Sequence, residues 1–231
     1  MQTIGLLGGM SWESTQHYYR LLNEGVRARL GGLHSARLVL YSVDFAPVEQ
    51  LQAHGRWAEA GDLLADAAER LERAGADFVV LATNTMHKVA PAIEARVRIP
   101  LLHIADPTGA AIAAAGLTRV ALLGTRFTME QAFYRDRLAE RFGLDVRTPP
   151  AADRQAVHDV IYQELCLGRV EPASRERFRA IAAALAADGA QGVIFGCTEI
   201  MLLLTQADVA IPVFDTTALH AAAAVERALA S

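Results

Sequence analysis

The sequence predicts an α/β fold of two pseudo-symmetric three-layer lobes, with mainly parallel sheets and an active site in the cleft between them. Two observations carry this prediction. Strand-like segments recur in the same order along the chain, and short apolar runs alternate with longer amphipathic stretches. "AGADFVVLATNT" (Ala74 to Thr85) aligns with "DGAQGVIFGCTE" (Asp188 to Glu199) at an offset of 114 residues, matching Gly75 to Gly189 and Thr83 to Cys197. "IGLLGGM" from Ile4 and "VALLGTR" from Val120 lie at an offset of 116, and Ile99-Pro100 and Ile211-Pro212 at 112. One such pair could arise by chance; three in order point to a duplicated unit.

Each element has a local cause. "MQTIGLLGGM" reads as the first strand of the fold, since it lacks the basic start and cleavage site of a signal peptide. "RWAEAGDLLADAAERLERAG" places Trp57, Leu64, Ala67 and Leu71 at helical spacing and stops at Gly75. "SRERFRAIAAALAADG" does the same with Phe178, Ile181 and Leu185 and stops at Gly189. Both helices lead within a few residues into an unbroken apolar run, VVLA or VIFG. Such runs belong to parallel strands covered on both faces. The first lobe is expected to comprise residues 1–104 with 214–231, whose helix "TTALHAAAAVERALAS" packs back, and the second lobe residues 105–213.

Composition narrows the class. Hydrophobic residues make up 52% of the 231 positions and charged residues 21%, as in a soluble globular chain. No stretch approaches the roughly 18 uninterrupted apolar residues of a membrane span. Formal net charge is −4 with both signs mixed and no basic stripe, which gives nucleic-acid binding no support. Cys166 and Cys197 are the only cysteines and make no disulfide framework, which fits a reducing cytoplasm. The glycines near the start do not form a nucleotide-binding fingerprint. A pyridoxal enzyme would have to use Lys88, the only lysine, and the seven histidines show no metal-ligand spacing, so the chemistry is expected to be free of cofactor and metal.

Parallel sheets put ligand sites beyond the carboxyl ends of their strands. The residues there are Gly8-Gly9-Met10-Ser11, Thr83-Asn84-Thr85, Thr125-Arg126 and Cys197-Thr198-Glu199. If the lobes face each other, Thr83 and Cys197 stand on opposite sides of one cleft. One proton-transferring group on each side suits inversion at a carbon acid. A thiol has an ordinary pKa near 8.5, and Cys197 reads as the start of a helix, where that pKa falls. Helix ends there would offer backbone N–H groups to a substrate carboxylate, with hydroxyls from Thr85, Thr125 and Thr198 and the Asn84 amide beside them. Glu199 acts the other way, since a neighbouring carboxylate raises a thiol pKa. Cys166, within "VIYQELCLG", reads as a small core residue. His87 lies one helical turn beyond Thr83, where it could reach the cleft or simply be a satisfied helix histidine.

With these residues in view, the chain resembles the aspartate/glutamate racemase family, over its full length. The matching segments are "IGLLGGMSWEST", "LATNTMH", "LLGTRFTM", "GVIFGCTEI" and "IPVFDTT". The resemblance implies two pseudo-symmetric α/β lobes, a homodimer, and cofactor-independent exchange of the Cα proton between two cysteines, one per lobe. Cys197 takes the second-lobe position; Thr83 stands where most members have the first cysteine. A hydroxyl is a far weaker acid than a thiol, so the two directions of turnover are expected to be unequal. The resemblance also implies substrate contacts from Met10, Gln52, Asn84, Thr85, Thr125, Thr128 and Thr198. Aspartate-specific relatives carry an arginine near Gln52 and a lysine near Glu164, so their absence here leaves glutamate or neutral amino acids open.

The expected activity is thus amino-acid racemisation, with Cys197 on one face of Cα and Thr83, through water or with His87, on the other. Two rivals remain at this stage. One is a one-cysteine decarboxylase or isomerase of the same superfamily, and the other a non-catalytic amino-acid or carboxylate binder.

Overall fold

A computed structural model describes residues 1–230. The chain divides into two compact units, one formed by Met1–Ile104 with the tail from His220, the other by Ala105–Leu219. The first half runs β1 (Ile4–Gly8), α1 (Trp12–Leu30), β2 (Leu38–Ser42), α2 (Phe45–Ala53), α3 (Trp57–Arg73), β3 (Phe78–Leu81), α4 (Ala90–Arg96) and β4 (Leu101–Leu102). The second runs α5 (Ala105–Ala114), β5 (Arg119–Gly124), α6 (Arg126–Glu130), α7 (Ala132–Phe142), β6 (Asp145–Arg147) and α8 (Ala151–Gln163). It continues with α9 (Pro172–Ala187), β7 (Gly192–Gly196), α10 (Ile200–Leu203), β8 (Val213–Asp215) and α11 (Thr216–Leu229). No helix among the described residues is long and apolar enough to cross a membrane.

In the first unit the strands lie in the order β2-β1-β3-β4, all parallel. Successive side chains on a strand point to opposite faces, so a sheet covered on both sides needs apolar residues at every position. Ile4 and Leu6 of β1 and Phe78 and Val80 of β3 face Tyr18, Leu22 and Val26 of α1 and Ala221, Ala224 and Val225 of α11. Leu7, Val79 and Leu81 belong to the opposite cluster, with Leu64, Ala67, Ala68 and Leu71 of α3 and Ile93 of α4. The result is three layers, helix–sheet–helix. Removing one of these leucines down to alanine would cost about 2–5 kcal/mol.

The second unit repeats the plan, with order β6-β5-β7-β8 and every pairing parallel. Even the register is repeated. Ile4 pairs with Phe78 and Val120 with Gly192; Val79 pairs with Leu101 and Val193 with Val213. Those pairings reproduce the offsets of 116, 114 and 112 residues seen in the sequence. Helices α8 and α9 pack against β5, while α5 packs on β8 and α7 on β6. Phe178 and Ile181 of α9 and Val157 and Ile161 of α8 supply buried faces.

The outer strands differ from each other: β2 (LVLYS) is apolar at four positions although it is partly exposed, whereas the short edge strand β6 (DVR) alternates polar and apolar residues. A second difference lies just beyond the strands. No multi-turn helix starts at Cys197 or Thr83: α10 has only four residues, and Thr85–Val89 is a 3₁₀ turn. Tight i,i+3 bonds replace helical ones there, from the Ile200 N–H to Cys197 O (3.2 Å) and from the His87 N–H to Asn84 O (3.1 Å). The expectation of a helix N-terminus at the thiol therefore fails.

Two glycines set the end of the second sheet. Gly124 and Gly196 are direct register partners on β5 and β7. A Cβ on Gly124 would stand 2.6 Å from the Gly196 carbonyl oxygen, below any real contact. Thr125 and Cys197 leave the sheet immediately beyond this close approach. Replacement Gly124→Ala is expected to cost about 1–3 kcal/mol through overpacking, read as a lower denaturation midpoint. Because the strain falls on the last residue before Cys197, it should also alter the rate at which that thiol is alkylated. An unchanged midpoint would refute the contact.

Candidate active site

In the first unit, the turn after β1 is held by Thr15. Its hydroxyl accepts the Gly9 N–H (2.8 Å) and donates to the Ser11 carbonyl (2.8 Å). Gly9 adopts φ +95°, and a Cβ there would lie 2.2 Å from the Val43 carbonyl oxygen, so only glycine fits. This turn delivers Met10, which is buried in the cluster containing Val48, Leu81 and Met86. Gln52, on α2, is buried and donates from Nε2 to Met86 Sδ (2.9 Å). Thr83, Asn84 and Thr85 follow β3 and are all buried. The Thr83 N–H donates to the Leu81 carbonyl (2.9 Å), and its own carbonyl accepts from His87 Nδ1 (2.7 Å). Both ring nitrogens of His87 are engaged by backbone, since Nε2 accepts the Ile104 N–H (3.1 Å). These two bonds match the sequence reading of His87 as a satisfied histidine.

In the second unit, Thr125 caps α6, accepting the Thr128 N–H on its hydroxyl (3.3 Å), and the two hydroxyls lie 3.2 Å apart. Thr128 is fully buried, so its hydroxyl supports Thr125 rather than facing outward. Next to them stand Cys197, Thr198 and Glu199. The Cys197 thiol and the Thr198 hydroxyl both donate to one oxygen of Glu199, at 2.9 Å and 2.8 Å. The Glu199 side chain is buried, only 2% exposed. This contact is the feature that residue spacing did not resolve. A carboxylate two residues after a cysteine gave its sign, and only the folded turn gives its geometry.

The electrostatics follow. Burial pushes the Cys197 thiol well above its ordinary value, and the Glu199 carboxylate pushes it further in the same direction. Cys166 adds a smaller push. That residue is half-buried in the 3₁₀ turn Leu165–Leu167, not a core residue as the sequence suggested. At neutral pH Cys197 is therefore a thiol whose proton is held against Glu199. Among the described residues no group of three or more His, Cys, Asp or Glu is placed to hold a metal ion. Lys88 lies with its ammonium 3.9 Å from the centre of the Trp57 ring.

Each unit thus brings polar groups to the carboxyl edge of a buried parallel sheet, in one case around Thr83 and in the other around a thiol–carboxylate pair. Duplicated parallel sheets with such edges define a class of two-unit α/β enzymes. Residues 7–224 match the Asp/Glu/hydantoin racemase family, and the chain belongs to it. It is 56% identical to a candidate Asp/Glu racemase from Yersinia pestis, covering 100% of both chains at a TM-score of 0.92. An aspartate racemase homologue from Pyrococcus horikoshii is 34% identical, with 99% of each chain covered and a TM-score of 0.83. The broad specificity amino-acid racemase RacX of Bacillus subtilis is 26% identical over 71% of this chain and 70% of its own length.

The Glu199 contact has a measurable consequence. Alkylation by iodoacetamide follows the thiolate, so at the Cys197 peptide the midpoint of its pH dependence should lie well above that of an ordinary cysteine in the wild-type protein. Glu199→Gln keeps an oxygen to accept the S–H but removes the negative charge. The alkylation midpoint should then move to lower pH, read by mass spectrometry of that peptide. A midpoint that stays in place would show that the carboxylate does not act on the thiol.

Proposed function

We propose that this protein is an amino-acid racemase that exchanges the Cα proton without a cofactor, using Cys197 on one face and Thr83 on the other. The observation that carries the reading is the equivalence of the two residues. Leu81 pairs with Leu7 and Phe195 with Leu123, so Thr83 and Cys197 each lie two residues past a matched position at the carboxyl end of a central strand. Family membership and the racemases among the relatives support the same reaction class.

The chemistry assigned to the second unit is that of a shared proton. Cys197 starts as an acid, with its S–H directed to Glu199. Transfer of that proton to the carboxylate leaves a thiolate beside a neutral acid, able to remove a Cα proton. The planar carbanion then takes a proton on its opposite face from the Thr83 hydroxyl; water reprotonates the resulting alkoxide, and Glu199 gives its proton to the hydroxide left, which returns the carboxylate for the next turnover. In the reverse sense, Thr83 would have to act as a base, and an alkoxide is scarcely populated at neutral pH. The two directions are therefore expected to differ in kcat and in KM, while an equilibrium constant of one holds their kcat/KM equal. Thr85, Thr125 and Thr198 hydroxyls, the Asn84 amide, Gln52 and Met10 are assigned to substrate contact, and Thr128 to the support of Thr125. The proposed substrates are of the glutamate/aspartate type or a broader set of amino acids, with Gln52 and Glu164 in place of basic residues counting against aspartate. A homodimer in the cytoplasm completes the proposal.

The test is proton NMR of L- and D-amino acids in D₂O, with chiral chromatography on the same samples. Loss of the Cα–H signal with inversion is the expected result, and unequal rates from the two enantiomers should accompany it. Cys197→Ser should lower exchange on the order of 10²–10⁴-fold, the usual contribution of one general acid–base group. Thr83→Cys should speed the slower direction and bring the two rates together. A folded protein with a free thiol that exchanges no substrate would overturn the racemase reading in favour of simple binding.

A further inference from the structure

We infer that His87 is the positioning residue for Thr83, locking the main chain at the first-unit proton site through a single neutral tautomer; this rests on the racemase reading above. The ring makes two backbone bonds of opposite sense. A carbonyl can only accept, so Nδ1 must carry the hydrogen that reaches Thr83 O (2.7 Å). An N–H can only donate, so Nε2 must be bare to accept from Ile104 (3.1 Å). Neutral imidazole with hydrogen on Nδ1 is the one form that satisfies both, and this assignment comes from the hydrogen-bond network. With the Thr83 N–H tied to Leu81, the peptide groups on both sides of the Thr83 Cα are fixed.

The ring itself is braced. His87 is 2% exposed and lies 4.4 Å, centre to centre, from His103 and 6.0 Å from His220. His220 is oriented by the same logic. Its Nε2 donates to the Leu102 carbonyl (2.8 Å), which leaves Nδ1 to accept the Tyr18 hydroxyl (2.9 Å). Residues scattered from position 18 to position 220 thus converge on one rigid floor beneath the Thr83 turn. No other side chain offers a donor and an acceptor on opposite corners of one small rigid ring. Asparagine can reproduce the Nδ1 donor alone.

The consequence is one-sided. A loosened Thr83 turn impairs the proton step on its own face of Cα and leaves the Cys197 face alone. A displacement of about 1 Å at a reacting group can cost on the order of 10²-fold in rate. His87→Ala should therefore lower inversion by about that factor, while exchange with retention at the Cys197 face changes less than about threefold. His87→Asn, which keeps a donor for the Thr83 carbonyl, should recover at least about tenfold of the loss. The assay is enantiomer-resolved Cα–H exchange in D₂O on wild-type protein and both variants, with thermal melting to establish folding. ¹⁵N NMR of the wild-type imidazoles supplies a readout that needs no variant, and should find His87 protonated on Nδ1 only.

Equal losses on both faces, failure of His87→Asn to recover activity while folded, or the opposite His87 tautomer would each overturn the inference. A wild-type protein that exchanges neither enantiomer would overturn the racemase reading itself, and this inference with it. Wild-type exchange with a face-independent His87→Ala defect would overturn the positioning role alone.

Discussion

Parallel pairing fixes where chemistry can stand in this chain. A parallel strand is entered from one edge of the sheet and left at the other, so every strand of a sheet releases its next residue at the same edge. The central strands themselves have no room for polar groups. Ile4–Gly8, Phe78–Leu81 and Gly192–Gly196 are buried at every position. A buried polar side chain left unpaired there would cost about 1–3 kcal/mol. The first positions that can be polar are those just past the strands, and Thr83, Thr125 and Cys197 occupy them. Glycine governs how closely the strands leave the sheet, at Gly124 against Gly196.

The thiol–carboxylate contact raises a physical question that its geometry also answers. Burial and Glu199 both hold the proton on sulfur, which suits an acid and opposes a base. Yet the pair as a whole contains one negative charge and one mobile proton. Shifting the proton from sulfur to oxygen moves the charge across a 2.9 Å contact without creating a second buried ion. The desolvation cost of the anion is thus roughly conserved through the shift. A cysteine buried alone would bear that cost in full on ionising. In the proposed exchange, the carboxylate that raises the thiol pKa is also the group that would receive its proton.

Much of the fold was legible because its repeat is written in the apolar runs. The pairs from Ile4 and Val120, from Ala74 and Asp188, and from Ile99 and Ile211 all proved to be matched in strand register. Helices α3 and α9 followed from periodicity and their terminal glycines. The edge strand β6 did not announce itself, since Val146 is its one apolar residue; β2 reads Leu-Val-Leu-Tyr, but without an apolar counterpart in β6 the repeat did not mark it. At the site, Thr83 and Cys197 were visible as the polar ends of repeated strands. The helix expected after Cys197 is a single turn that opens only at Ile200, behind a tight turn in which the thiol and the Thr198 hydroxyl both bond to Glu199. The histidine floor was invisible for a different reason. Its Tyr18–His220 bond joins residues 202 positions apart, and no local pattern encodes such a contact.

The C-terminal helix gives the chain an unusual calendar. Ala221, Ala224, Val225 and Ala228 close the face made by Ile4, Leu6, Phe78 and Val80, and the Ala228 carbonyl accepts the Gln2 N–H (2.8 Å). The first strand therefore cannot be fully covered until the last helix exists. During synthesis, the segment between Ile104 and His220 takes on the order of ten seconds to emerge at ordinary rates of translation. Over that interval this face of the first sheet has only α1 to cover it. The N-terminal half therefore cannot take its final form until the last stretch of the chain has been made.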